Sequence, residues 1–407
     1  MHKASNISLC VLISLLVITS FTKSLTVTGL ATSQIIIPSA GTFDYSNTSI
    51  SWLHTSGIYI YDSSNQRIKL YAPNVEYGGG GGFTLADVQA IKSLGFNAFR
   101  FAIYWGAVQP YNSSMQGIDT ICFTSGKPPL SGCGIDDVVN WAVQENMYII
   151  FRFQWTPAWR PPTWAFPGVA DDVQMYEMLF NGTATKEKAG VMNAWKFIAN
   201  RYASVPNVIF EILNEPGVNN HSLSGSAYAN WNTQVISSIE SVETQSHLKI
   251  VELLRDGDSG WEIIDSSVSD ISKTNLLWAI HEYSPMSNYN PTGSYYHGDF
   301  TWNGQHFSQG WGNGTVYVAW KIIISAEMVH DWNKPWIITE WGKVVTETYW
   351  TSWFRTVLET MTNYNVAGWV IHEYVGNPNN SEWDWNINNP TTQQEIMNLV
   401  HAYMMQT

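Results

Sequence analysis

From residue 67 to residue 404, short runs rich in β-branched and aromatic residues alternate with longer stretches whose apolar positions recur at helical spacing. The runs are 67–74, 96–103, 148–153, 208–215, 249–254, 276–283, 335–340 and 366–371. Helices are expected over 84–94, 136–146, 189–202, 227–242, 317–331, 349–364 and 393–404, with Thr84 and Asp87 capping the first and Gly95 stopping it. Eight strands with helices between most of them is the period of a closed (β/α)8 barrel, where side chains that act on a ligand gather at the carboxyl ends of the strands. An open doubly wound sheet is the competing α/β arrangement. It calls for a Gly-rich first βα turn, and the five glycines at 78–82 lack the spacing and context of one.

The expectation is therefore a single α/β TIM barrel with an N-terminal β-hairpin, its arms at 57–62 and 67–72 flanking the turn Ser63-Ser64-Asn65-Gln66. Loops following Ile103, Phe153 and Tyr283 are long, and the barrel gathers them on one face. They carry Trp105, Trp155, Trp159, Trp164, Tyr289, Tyr295, Tyr296, Trp302 and Trp311. A chain with 21 Trp and 20 Tyr has aromatic faces to spare for stacking on a ligand such as a sugar ring.

Residues 1–31 read as a signal peptide, with Lys3, an apolar run at 7–21 and a small-residue cleavage site at Gly29-Leu30-Ala31; an uncleaved N-terminal anchor is the alternative. Residues 32–56 read as a Ser/Thr-rich lead-in and 57–407 as the barrel domain. Secretion is the expectation, and six Asn-x-Ser/Thr triplets, at Asn47, Asn112, Asn181, Asn220, Asn313 and Asn379, suit it. With Cys10 in the signal, Cys122 and Cys133 remain as an even pair expected to form a disulfide. A metal site at this pair lacks a second Cys/His cluster. A net charge of −13 argues against nucleic acid or an anionic membrane surface as partner. A monomer is expected.

Two strands end on a glutamate. Val208-Ile209-Phe210-Glu211-Ile212-Leu213 runs into Asn214-Glu215-Pro216, and Trp336-Ile337-Ile338-Thr339 into Glu340-Trp341-Gly342. Carboxyl groups at the ends of two rigid strands suggest a paired-carboxylate site. Cleaving a glycosidic bond needs such a pair, one group protonated and the other ionised. Arg100 lies in an apolar strand and requires an anionic partner. His281 and Tyr283 alternate and so point to one side. Glu211 shares a face with Glu215 by the same alternation, and like Glu252 it reads as a structural carboxylate.

In this order, Pro73-Asn74, Arg100, Asn214-Glu215-Pro216, His281-x-Tyr283 and Glu340-Trp341-Gly342 resemble glycoside hydrolase family 5, the cellulase-type retaining barrel glycosidases. The resemblance runs from about residue 57 onward. It implies that Glu215 is the acid/base and Glu340 the nucleophile, and that Arg100 keeps Glu340 ionised. It further implies that Asn214 bonds the sugar's 2-hydroxyl, that His281 bonds substrate and that Tyr283 bonds the nucleophile. Two departures from the pattern stand out. Gln154, beside Trp155, occupies the place of a His on the third strand, and His372 takes the second Trp of a Gly-Trp-x-x-Trp pattern. Trp369 then faces the core, and the sugar platform falls to Trp341 or Trp383. The implied activity is a secreted endo-β-1,4-glucanase acting on β-glucan, with no metal or organic cofactor required. A mannanase, a xylanase, an exo-glucosidase and a non-catalytic carbohydrate-binding barrel remain as alternatives.

Overall fold

The eight apolar runs pair side by side and close on themselves. The structure is a computed structural model that describes residues 50–404 apart from 76–81, 110–116, 125–132, 155–164, 170–171, 217–223, 254, 257–260, 263–268, 286–287, 344–346, 373 and 375–389. The barrel strands are β1 (Leu70–Val75), β2 (Ala98–Tyr104), β3 (Tyr148–Gln154), β4 (Val208–Glu211), β5 (Lys249–Glu252), β6 (Leu276–Glu282), β7 (Trp336–Trp341) and β8 (Gly368–Ile371). They follow one another around the ring in chain order, all parallel, with β8 beside β1.

Around them lie α1 (Leu85–Ser93), α2 (Ile135–Gln144), α3 (Thr185–Arg201), α4 (Gly225–Glu240), α5 (Gly314–Asp331), α6 (Trp350–Asn363) and α7 (Pro390–Met404). Local chemistry sets their ends. Asp87 accepts from both the backbone and the hydroxyl of Thr84 at the start of α1. Just past α2, α5 and α6, Asn146, Asn333 and Asn365 take the left-handed conformation that closes a helix. Between β5 and β6 the described residues contain no α-helix; a short ribbon pairs Arg255–Asp256 with Trp261–Glu262. No helix among the described residues is long and apolar enough to cross a membrane.

Strand alternation sorts the apolar residues into two separate clusters. Outward residues such as Phe99, Phe101, Ile149, Phe151, Phe210, Trp278, Trp336 and Trp369 pack against the helices. Inward residues, among them Leu70, Ala72, Ala98, Ile150, Ile209, Ile250, Leu277, Ala279, Ile337 and Val370, fill the barrel.

The expected hairpin is present but gains a third strand. His54–Ser56 pairs with Tyr59–Tyr61, which pairs with Arg67–Ile68. The third strand comes from the segment read as lead-in, and the arm read as continuous to Asn74 divides into this sheet and β1. Leu53 and Ile60 join the inward cluster, so the small sheet closes the amino end of the barrel. Asn275 fixes it there, accepting from the Thr55 N–H and donating to the Leu53 carbonyl.

The long connection after β6 folds into two ribbons, Ser294–His297 with Gly310–Asn313 and Phe300–Trp302 with Gln305–Phe307. Asn303 and Gly304 both have positive φ, the geometry that closes a two-residue hairpin. Asn313 then caps α5, its side chain accepting from Val316 N at 3.0 Å.

The expected disulfide is a correction. Cys122 and Cys133 are both buried thiols. The Cys122 sulfur donates to the Asp119 carbonyl at 3.0 Å, back along its own turn. Both side chains sit in the helix-facing core as small apolar groups, and this packing overrides what the even count suggests.

Residues 1–49, the glycines at 78–81, Trp155, Trp159, Trp164, Trp383, and the triplets at Asn47, Asn112, Asn220 and Asn379 lie outside the described residues.

Candidate active site

The alternation that puts aliphatic side chains inside the barrel puts polar ones on the same face one step further along each strand. Asn74 of β1, Arg100 of β2, Arg152 of β3, Glu211 of β4, Glu252 of β5 and His281 of β6 form this layer, and all are buried. Arg100 is its hub. Its Nε and Nη2 fork onto Glu211 at 2.5 and 2.6 Å, Nη1 donates to Glu340 Oε1, and the side-chain oxygens of Asn74 and Asn214 accept at 3.1 and 2.7 Å. A buried guanidinium is tolerated because every edge of it meets an acceptor.

Glu340 reaches this layer through a β-bulge. Along β7, Ile337 points inward and Ile338 outward, so strict alternation would send Glu340 outward. β6 and β7 stay in step as far as Ile280 opposite Ile338; His281 then sits opposite Glu340, skipping Thr339. The same extra residue appears against β8, where Ile338 faces Trp369 but Trp341 faces Ile371. The bulge turns Glu340 inward and Trp341 outward.

Once inside, Glu340 Oε1 meets Arg152 Nη1 at 3.0 Å as well as Arg100, and Oε2 accepts from Tyr283 at 2.8 Å. Burial alone would raise the pKa of this carboxyl. The charges of His281, Arg100, His372 and Arg152 outweigh it and hold Glu340 well below the ordinary carboxylate range. Burial, reinforced by the Glu340 charge, raises the Tyr283 phenol and keeps it a donor.

Glu215 is held differently. β4 ends at Glu211, earlier than the sequence suggests, and the chain rises to Glu215 in the left-handed region with φ of 44°. That conformation is uncommon for a non-glycine residue, and three contacts fix it. Glu252 Oε2 accepts the Glu215 N–H at 2.7 Å, Tyr176 donates to the Glu215 carbonyl at 3.1 Å, and His281 Nδ1 lies 2.8 Å from Glu215 Oε1. His281 Nδ1 is also 3.5 Å from Glu340 Oε2, so one imidazole edge serves both carboxyls. A ligand atom from each of Glu215, His281 and Glu340 lies within 4.8 Å of the others. Glu211, Glu252 and His281 form a second such trio. Most of these groups are already tied to arginines or to one another, so both trios belong to one ion-pair network.

Polar groups beside the two glutamates keep unused capacity. Gln154 Oε1 and Asn214 Nδ2 are buried without a hydrogen-bond partner among the described residues. One is an acceptor and the other a donor, as a ligand's hydroxyls require. His372 lies on the inward phase of β8, with its ring edge-on to Tyr283 at a centroid distance of 6.0 Å.

Trp341 is a correction. It is fully buried on the outer side of β7, packed against Trp353, Phe354 and Trp369, and cannot serve as a sugar platform. Trp369 faces the core, as expected. Of the loop aromatics, Trp105 and Tyr289 are buried, Tyr295 stacks on Tyr317, and Tyr296 and Trp311 are exposed.

Sequence reasoning missed Arg152. The signal was available, since Arg152 and Gln154 share a strand face and a charge in the middle of Ile149-Ile150-Phe151 and Phe153 needs a buried partner.

Proteins with known roles share this architecture. The sequence pattern described as cellulase, glycosyl hydrolase family 5, matches residues 61–389. Endoglucanase 3 of Fibrobacter succinogenes is 22% identical over 160 residues, 38% of this chain and 20% of that protein. The chain spans less than a quarter of the length of the curated relatives it matches. Thermotoga maritima Cel5A in complex with mannotriose superposes with a TM-score of 0.54 at 17% identity, over 81% of this chain and 97% of that one. The β-glucanase SdGluc5_26A of Saccharophagus degradans gives 0.57 at 15%, over 90% and 97%. The structures speak to the fold, a (β/α)8 barrel. The family pattern runs from the N-terminal sheet past β8, and the chain belongs to glycosyl hydrolase family 5, as a glycoside hydrolase.

Proposed function

We propose that the chain is a secreted, retaining endo-β-1,4-glucanase in which Glu215 is the acid/base and Glu340 the nucleophile. One distance carries the mechanism: oxygens of the two carboxyls lie within 4.8 Å. Retaining enzymes hold their carboxyls ~5–5.5 Å apart for direct attack, whereas inverting ones leave ~6.5–9.5 Å for a water. The electrostatics divide the roles. Glu340, held ionised by two arginines, attacks the anomeric carbon while Glu215 gives its proton to the departing oxygen. The glycosidic bond breaks as the Glu340 ester forms. Water then loses a proton to Glu215, its oxygen bonds to the anomeric carbon, and Glu340 leaves as carboxylate. Both arginines bind Oε1, which leaves Oε2, held by Tyr283, as the attacking oxygen.

The substrate reading draws on the endoglucanases among the relatives and on the aromatic-rich loops. Mannan is the second reading, favoured by the mannotriose complex of the Thermotoga protein. Product analysis on carboxymethylcellulose, β-mannan and xylan separates them, and Glu215→Gln serves as control. Internal cuts in the cellulose derivative, lost in the variant, are expected; cuts only in mannan would replace the substrate. Export rests on the apolar run at 7–21 and is tested by assaying culture fluid and washed cells separately.

Arg152 supplies a pH prediction. Removing a cation from Glu340 destabilises its ionised form and raises its pKa. Arg152→Met is therefore expected to move the acid limb of the kcat/KM profile up by about one pH unit. An unmoved acid limb would show that Arg152 only packs.

A further inference from the structure

We propose that Asn313 carries an N-linked oligosaccharide whose first sugar lies on the exposed face of Trp311. The proposal rests on the export reading and goes beyond it, naming a modified residue and the surface that receives the sugar.

Two observations meet on the first ribbon after β6. Trp311 and Tyr296 stand opposite each other across its strands, edge to face with ring centroids 5.8 Å apart. Trp311 is 73% exposed and Tyr296 46%. A single exposed apolar side chain is ordinary, whereas a paired indole and phenol call for a ligand. The ribbon's other face anchors it to the barrel. Tyr295 stacks on Tyr317 of α5 at 5.2 Å, His297 is buried beside Trp320, and a side chain at Gly312 would meet the His297 ring at 2.7 Å. Gln309 braces the outer pair, its Nε2 donating to the Tyr296 hydroxyl oxygen.

The second observation is the run Trp311-Gly312-Asn313-Gly314-Thr315, an Asn-x-Thr triplet whose asparagine lies two residues past the indole. Residues two apart in a strand share a face at a separation of about 7 Å, within reach of one pyranose ring. Trp311 and Asn313 are the exposed positions of their strand, and Gly310 and Gly312 alternate with them. Asn313 Oδ1 caps α5 by accepting from Val316 N, and among the described residues no acceptor takes its Nδ2. Cap and modification use different atoms, so a sugar on Nδ2 leaves the helix start intact. Asn181, the other triplet asparagine among the described residues, has the buried Leu179 at the same offset and no ring to offer.

The donor is an oligosaccharide carried on a lipid phosphate. Asn313 Nδ2 loses a proton and bonds to the anomeric carbon of the first sugar. That carbon's bond to the phosphate oxygen breaks, and the phosphate leaves with the electron pair. Thr315 lies in the first turn of α5 in the folded chain, so transfer precedes folding. The folded ribbon then lays the C–H-rich face of the sugar on the indole, removing both from water.

Mass spectrometry of the peptide holding Asn313, from protein purified out of the source organism's culture fluid, tests the proposal. A glycan mass on Asn313 is expected. Oxidation of Trp311 by N-bromosuccinimide, followed on the same peptide, should run severalfold slower than in Asn313→Asp, which keeps the cap acceptor but takes no sugar. If that variant does not fold, Thr315→Val supplies the unmodified comparison with the cap residue in place. An unmodified Asn313 in exported protein overturns the proposal and leaves export standing; an unmodified Asn313 in protein confined to the cells removes both readings. Equal oxidation rates with and without the glycan also overturn it. So does a Trp311→Ala variant of unmodified protein that loses retention on insoluble cellulose, since the indole is then a platform for free glycan.

Discussion

Glu340→Gln is expected to lower turnover by at least about 10^4-fold on every substrate the enzyme accepts. The amide fits the same space and still offers an oxygen to Arg100 and Arg152, but it is neither anionic nor nucleophilic. No glycosyl ester forms. The deficit therefore falls on kcat, and the burst of leaving group that precedes steady state should vanish. Cost to the fold is smaller, because Arg100 retains its fork to Glu211 while Arg152 loses an anion. Stopped-flow release from dinitrophenyl β-cellobioside, beside a thermal melt, measures both quantities. Turnover within tenfold of the unmodified enzyme would place the nucleophile elsewhere. Azide adds a stereochemical check: on Glu340→Ala it should give the α-glycosyl azide, opposite in configuration to the β-glycosyl azide expected from Glu215→Gln.

Arg100→Met has the largest expected effect on stability, a loss of about 3–5 kcal/mol. The thioether fills most of the volume but leaves Glu211 without its fork and removes one of two guanidiniums from Glu340. A buried carboxylate that loses a cation responds by taking up a proton, so the pKa of Glu340 rises in the variant. The sign follows from linkage. In the variant, Glu340 destabilises the fold most above its raised pKa, and the penalty shrinks as pH falls and it becomes neutral. The unmodified enzyme behaves oppositely at Glu340. Its depressed pKa adds stability above the unfolded value, and that stability is lost as pH falls through the folded value. The gap between the two proteins should therefore narrow toward acid. Urea denaturation at several pH values reads it directly, and a gap independent of pH would mean that packing rather than charge dominates. Arg100→Lys should recover only part, since an ammonium cannot make the planar fork.

Much of this was legible before any coordinates. Strand alternation is a strong local signal, and it put His281 and Tyr283 on one side of their strand without reference to neighbours. Asn303-Gly304 could have announced a hairpin in the same way. Other features depend on pairings distant in sequence. Nothing in Trp336-Ile337-Ile338-Thr339-Glu340-Trp341 marks Thr339 as the residue left over between β6 and β8, so Trp341 read as an accessible platform when it belongs to the outer core. The cysteine pair failed for a related reason: an even count in a chain expected to be exported argued for a bond, and only packing decides where each side chain points. Arg152 was overlooked because its anion, Glu340, lies four strands away around the ring.

The extra residue in β7 makes the position of the proposed nucleophile a question of phase. Point substitutions at 336–340 change what is presented to the barrel, but they leave the reading frame of the strand intact. Straightening the bulge with every residue kept would exchange two faces at a stroke, delivering an indole to the arginines and a carboxylate to Trp353 and Phe354. The site depends on where this strand breaks step as much as on a chemical identity.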